Sequence, residues 1–200
     1  MENFLSTNLK KFRYERKFFI KWLKRENVET ILKFHPAMFK EIYHMRTVNN
    51  VYFDSFDLQH YLDNINGMSR RLKVRIRWYG EMFGFIENPM LELKIKHNLH
   101  IGKILYPLQP LTLDNKFSIK AMQKIFKESS LPKMLKFYLG SLNFSLLNTY
   151  KRKYFLSVDS KYRITVDTDR KVYRLSPHQN NFLHRCTDYN TVILELKYNE

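Results

Sequence analysis

The stretch SRRLKVRIRWYG, Ser69–Gly80, decides the fold. Lys73, Arg75, Arg77 and Tyr79 share one parity along it, and Leu72, Val74, Ile76 and Trp78 share the other. Alternation of period two over this length predicts a strand with one apolar and one polar face. The polar face carries almost nothing but cations. Water and salt screen such a row if it is solvated. If several strands turn charged faces toward one another, only an anion can balance them.

The same pattern recurs on both sides. FRYERKFFIK (residues 12–21) sets Arg13, Glu15 and Lys17 on one parity. PMLELKIKHN (residues 89–98) sets Glu92, Lys94 and Lys96 against Leu91, Leu93 and Ile95. Further along, NTYKRKYFLSV groups Tyr150, Arg152 and Tyr154, YRITVD groups Arg163, Thr165 and Asp167, and TVILELKY places Glu195 and Lys197 opposite Val192, Leu194 and Leu196. One such strand is explained by a sheet with a wet face. Repetition through the chain is better explained by a closed sheet whose apolar sides pack under helices and whose charged sides line a tunnel. Cations facing each other in a lumen are costly unless a bound anion or glutamates offset them. The expectation is an interior polyanion site with room for a divalent metal.

Composition agrees. The formal charge of +16 on 200 residues implies an acidic partner: nucleic acid, membrane headgroups or a phosphate-rich small molecule. Cys186 is the only cysteine, which excludes an internal disulfide framework and fits a reducing, cytoplasmic setting. No apolar run approaches the roughly 20 residues that span a bilayer, and the N-terminus lacks the order of a signal peptide. The chain is expected to be soluble, with docking on a membrane-associated partner protein left open.

Between the strands, residues 2–11 are expected as a short helix or tail. Val28–Tyr43 is expected to be helical in two pieces, with His35-Pro36 marking a fresh start. Thr47–Asp54 is strand-like, and Asp57–Asn66 suits a short helix capped by Asp57 and closed by Gly67. Lys103–Leu108 and Arg170–Leu175 are short strand candidates. Residues 118–143 change to a helical period and form an insertion too short to stand alone, so residues 1–200 are expected to be a single domain. Phe126, Phe137 and Tyr138 sit at helical spacing and are expected in the core.

In this order, RYERKFFI, VYFDS, RRLKVRIRWYG, LELKIK, TYKRKYFLSVDSKYRITVD and VILELKY resemble the VTC domain of polyphosphate polymerases, from residue 12 to the end of the chain. That family belongs to the triphosphate tunnel metalloenzymes, the CYTH-like superfamily. The resemblance implies an α+β fold: an eight-stranded antiparallel β tunnel, closed as a barrel, with flanking helices. It implies transfer of the ATP γ-phosphate onto a polyphosphate chain, dependent on Mn2+ or Mg2+. By matching motif, Arg75, Arg77, Lys94, Arg152 and Arg163 resemble the phosphate-binding cations that carry the catalysis. Lys17 joins them, and with Lys73, Lys96, Tyr150 and Lys197 makes up the expected substrate contacts. Glu195 is the first choice of metal ligand, with Glu15 and Glu92 on the same faces.

Two departures shape the expectation. Hydrolytic relatives carry ExExK on the first strand, where this sequence reads Arg13-x-Glu15-x-Lys17. Losing one carboxylate weakens a simple triphosphatase reading. The family also continues past VILELKY into a closing helix and an SKY-like segment. The sequence ends at Glu200, so either it is truncated or it binds polyphosphate without making it well.

Phosphoryl transfer spreads negative charge over several oxygens, so positioning and electrostatics dominate its catalysis. Arginine forks hold phosphate oxygens in pairs, lysine adds a point charge, and a hard cation completes the clamp. No glycine-rich phosphate loop, GxGxxG or HExxH is present. His97-x-x-His100 and His178…His184-x-Cys186 have loosely metal-like spacing and are read as surface or structural; Asp54 and the pair Asp167 and Asp169 could bind metal, with turn or salt-bridge duty the favoured reading. Competing classes are a tunnel triphosphatase acting on tripolyphosphate or nucleoside triphosphates, and a non-catalytic module binding polyphosphate, RNA or an acidic membrane. ATP, polyphosphate or tripolyphosphate are the expected partners, and nucleic acid is not favoured.

Overall fold

The structure, a computed structural model, describes residues 14–97 and 100–198. The expected N-terminal helix or tail and Arg13 lie outside them. Eleven strands and four helices are described: β1 (Tyr14–Ile20), α1 (Arg25–Phe34), β2 (Lys40–Asp54), α2 (Gln59–Ile65), β3 (Arg70–Tyr79), β4 (Gly84–Ile86), β5 (Met90–His97), β6 (His100–Pro107), β7 (Leu111–Leu113), α3 (Ile119–Glu128), α4 (Lys133–Gly140), β8 (Asn143–Leu156), β9 (Tyr162–Tyr173), β10 (Arg185–Asp188) and β11 (Val192–Tyr198).

The chain forms two compact units. The first holds Asn49–Asn148 and Val172–Arg185; the second holds residues 14–48, Thr149–Lys171 and residues 186–198. Strand pairing follows the order β1-β11-β9-β8-β2-β3-β5-β6, with β10 added beside β9; β4 and β7 make a separate ribbon. This corrects the expected eight-stranded closed barrel. The sheet has nine strands, and its path ends at β1 and β6 with no pairing between them among the described residues. Both ends carry the charges that protect free edges: Glu15, Arg16 and Lys17 on β1, and Lys103 on β6, which closes on Pro107.

In the first unit the alternation works as the sequence implies. Val74, Ile76 and Trp78 of β3 and Leu91, Leu93 and Ile95 of β5 are buried. They join one core with Val51 and Phe53 of β2, Met122 and Phe126 of α3, and Leu135 and Leu139 of α4. Each fully buried aliphatic or aromatic side chain contributes about 1.5–3 kcal/mol, so this layer fixes which face of β3 and β5 remains for the cations. The Ser118 hydroxyl caps α3 by accepting from the Ala121 N–H at 3.3 Å.

In the second unit Val28 and Leu32, four residues apart on α1, pack with Phe39, Phe155, Ile164, Val166 and Val192. The helix expected after Pro36 is absent. His35 turns the chain instead, its Nδ1 accepting from the Ala37 N–H at 3.0 Å, and residues from Lys40 onward enter β2. The expected strands at 162–167 and 170–175 are one continuous strand, β9.

Asp57 does not cap α2. The Asp54 carboxylate does so, accepting the N–H groups of His60 and Tyr61 at 2.9 Å each. Leu58, at φ 58, makes the entry turn in the left-handed region. Among the described residues no helix is long and apolar enough to cross a membrane.

Candidate functional site

The charged face of the first unit is set by strand register. Lys73 of β3 pairs with Lys94 of β5, which pairs with Lys103 of β6. Cross-strand partners point to one side with Cβ atoms about 4.5–5.5 Å apart, so the three ammonium stems stand in a row. One step along, Arg71 pairs with Lys96; one step the other way, Arg75 pairs with Glu92. Like charges directly opposite one another destabilise a sheet, and Glu92 is the one carboxylate that β3, β5 and β6 place on this face among the described residues.

That carboxylate is saturated. Glu92 is 3 % exposed. Its Oε2 accepts from Arg75 Nε at 2.7 Å and Nη2 at 2.5 Å; its Oε1 accepts from Lys103 Nζ at 3.3 Å and lies 3.7 Å from Arg77 Nη1. Burial alone would raise its pKa, but Arg75, Arg77 and Lys103 outweigh burial and hold it at about 2. Arg75 Nη1 also donates to the Tyr52 hydroxyl at 3.0 Å. Burial again opposes ionisation of that phenol, yet Arg75, Arg77 and Lys73 bring its pKa down from the ordinary value. Arg77 is steadied separately: its Nε donates to Asn50 Oδ1 at 2.8 Å, and Asn50 Nδ2 donates to Asn148 Oδ1 at 2.8 Å. Both guanidinium groups are thus pre-positioned in the folded chain.

The second unit has a face of different character. Register places Glu15, Lys197 and Arg163 in one row across β1, β11 and β9, and Lys17, Glu195 and Thr165 in the next. Here the signs alternate. Lys197 Nζ lies 3.1 Å from Glu15 and 3.4 Å from Glu195, and Lys17 Nζ is 3.6 Å from Glu195 Oε1. Arg152 holds Asp167 in a fork, with Nε to Oδ1 and Nη2 to Oδ2 both 2.6 Å, and its Nη2 is 3.8 Å from Glu195 Oε2. The guanidinium also lies over the Tyr150 ring, 5.1 Å from its centroid. Burial disfavours the Arg152 charge, but the Asp167 contact more than compensates and raises its pKa. Thr165 is buried, and its Oγ1 has no hydrogen-bond partner among the described residues.

The VTC domain profile matches residues 12–200. The chain belongs to the VTC domain family. No curated protein matches it significantly. Among solved structures, a provisionally named adenylate cyclase from Vibrio parahaemolyticus is similar at 9% identity and TM-score 0.50, over 95% of this chain and 77% of that one. A provisionally named adenylate cyclase from Bacillus halodurans is similar at 13% identity and TM-score 0.49, over 95% and 82%. An adenylyl cyclase candidate from Hippeastrum, described as having a dominant triphosphatase activity, is similar at 13% identity and TM-score 0.49, over 93% and 79%. At 9% identity the likeness to the Vibrio parahaemolyticus protein speaks for the fold alone.

Within this VTC domain, Lys73, Arg75, Arg77, Glu92, Lys94 and Lys96 come together on the first unit's face. Glu15, Lys17, Tyr150, Arg152, Glu195 and Lys197 come together in the second, with Arg163 exposed opposite Lys197. Sequence reading missed Tyr52, Asn50, Lys103 and Asn148. None lies in a charged alternation, although Lys103 falls in a strand candidate and its register with Lys94 reveals it. Asp167 forms its salt bridge with Arg152, and Asp169 faces Lys151 at 2.9 Å. Among the described residues no three His, Cys, Asp or Glu side chains form a metal-holding group.

Proposed function

We propose that this VTC domain is a polyphosphate polymerase that transfers the γ-phosphate of ATP to the end of a polyphosphate chain. The Lys73–Lys94–Lys103 row carries the reading, because three lysines side by side in register match a linear anion with repeated phosphate groups. Arg75 and Arg77 are the proposed forks on the transferring phosphoryl group, and Lys94, Lys96 and Lys73 hold neighbouring phosphates. In the second unit Arg152, Arg163, Lys17, Lys197 and Tyr150 are the proposed phosphate and substrate contacts. A terminal oxygen of the chain forms a bond to the γ-phosphorus while the bond to the bridging oxygen of ADP breaks; ADP leaves with that electron pair. The family match runs through both units, which supports treating residues 1–200 as one functional domain.

Two carboxylates, short of a complete protein ligand set, are the proposed holders of a divalent cation in the second unit, with substrate phosphates supplying the rest. Glu195 and Glu15 supply carboxylate oxygens, and the orphaned Thr165 hydroxyl sits opposite Glu195 in register. Mg2+ commonly takes one or two carboxylates together with substrate phosphates and water. Such a cation would neutralise charge on the phosphate oxygens. Glu92, the third carboxylate of this reading, is hydrogen-bonded by Arg75 and Lys103, whereas the cations around Glu195 stand 3.4–3.8 Å from it, so the metal assignment rests on Glu195. A single cysteine supports a cytoplasmic setting.

The test is polyphosphate synthesis from ATP with Mn2+ or Mg2+, followed on gels beside free phosphate release. Chain growth should fall about 10²-fold in Lys94→Gln with circular dichroism unchanged. Phosphate release without chain growth would instead make the protein a triphosphatase.

A further inference from the structure

Helix α2 is mounted inside out. Its polar side faces the protein: His60 Nε2 and Tyr138 Oη of α4 are 2.6 Å apart, and His60 Nδ1 is 3.2 Å from Asp54 Oδ1. Burial, with Asp54 nearby, pushes the Tyr138 phenol up to about 12, so the hydroxyl stays protonated. No residue of α2 is buried. Its apolar side is open to solvent: Tyr61, Leu62 and Ile65 lie on one stripe, with Phe56 at 93 % exposure just before the helix. The neighbouring α4 adds Met134 and Phe137, the latter at 82 %, which corrects its expected place in the core. Using about 150–250 Å2 for an aromatic side chain, the six expose roughly 800 Å2, the area one partner gives to a standard interface.

Charge points to the occupant. In this +16 chain, Thr47–Ser69 contains no Lys or Arg and carries Asp57 and Asp63 outside the buried Asp54, whereas α3 and α4 carry Lys120, Lys124, Lys127, Lys133 and Lys136 against Glu128 alone. A shallow cleft of about 230 Å3, lined by Gln123, Phe126, Lys127, Lys136 and Gly140, lies between α3 and α4. One molecule therefore carries both halves of a complementary contact: an acidic-rimmed apolar helix, and beside it a basic-rimmed cleft. We propose that a second copy of this chain covers the face, in a two-fold dimer that seats α2 of each protomer against α3 and α4 of its partner.

The experiment is sedimentation velocity on the full chain from micromolar to high-micromolar concentration. The 24.5 kDa chain should reach twice its mass, and Ile65→Asp and Phe137→Asp should each stay at single mass with unchanged circular dichroism. A charge exchange makes the test specific. Asp57→Lys/Asp63→Lys should be monomeric alone, as should Lys127→Glu/Lys133→Glu, because each repels its own kind at both contacts. Mixed in equal amounts, the two should recover the dimer. Wild-type chain that remains single at high concentration would overturn the proposal. So would a dimer that survives Ile65→Asp and Phe137→Asp, or a monomer that sediments with anionic phospholipid vesicles through these residues.

Discussion

Replacing Glu92 by Gln removes the carboxylate that Arg75, Arg77 and Lys103 share while keeping its shape. The carboxylate titrates at about 2 instead of 4.5. At about 1.4 kcal/mol per pKa unit, that displacement is worth about 3 kcal/mol of stability to the ionised form. Because the folded-state pKa is depressed, this stability is fully present above the unfolded-state value near 4.5 and is lost as pH falls through about 2. Urea unfolding of wild type and Glu92→Gln at pH 7 and at pH 3 measures it. The gap should be about 3 kcal/mol at pH 7, an estimated 6–12 °C in Tm for a chain of this size, and should narrow in acid. Adding tripolyphosphate should raise the Tm of the Gln variant more than that of wild type, since it supplies the missing negative charge. Equal stability at pH 7, or a gap that does not change with pH, would refute the reasoning.

Arg75→Ala should lose both synthesis and stability, the latter by about 1–3 kcal/mol, because it leaves Oε2 of buried Glu92 without its hydrogen bonds while Lys103 and Arg77 stay on Oε1; equilibrium unfolding beside the polymerase assay separates the effects. Arg152→Lys should keep the charge but lose the fork on Asp167, lowering Tm by several degrees in a thermal melt. Glu195→Gln should abolish the extra thermal stabilisation that Mn2+ adds to tripolyphosphate while leaving the metal-free shift in place. Tyr138→Phe should cost about 1 kcal/mol by cutting the His60 contact, read as a lower urea midpoint.

Strands β3, β5 and β11 are legible in the sequence because their alternation is strict and their apolar side is wholly apolar. The first half of β2, KEIYHMRT, is not, because its residues mix chemistry on both parities and a proline nearby suggests a helix start. The three-residue strands β4 and β7 are too short to show a period. Site residues on charged strands could be picked out one by one; their partners could not. That Lys73, Lys94 and Lys103 share a row, or that Glu92 is consumed by Arg75, depends on register, which tertiary pairing fixes. Asp54 looks like an ordinary strand end, and only the chain's return places it over the α2 N–H groups. Phe137 has the spacing of a core residue, but its helix buries Leu135 and Leu139 instead.

The most direct test of the proposed anion-binding face is calorimetric titration of tripolyphosphate into wild type and Lys73→Gln/Lys94→Gln/Lys103→Gln across a range of salt. The wild type should bind, with affinity falling as salt rises, and the triple variant should lose most of that binding and flatten the salt dependence while remaining folded. Undiminished binding in the triple variant, or equal affinity of the wild type for single-stranded RNA, would contradict the account.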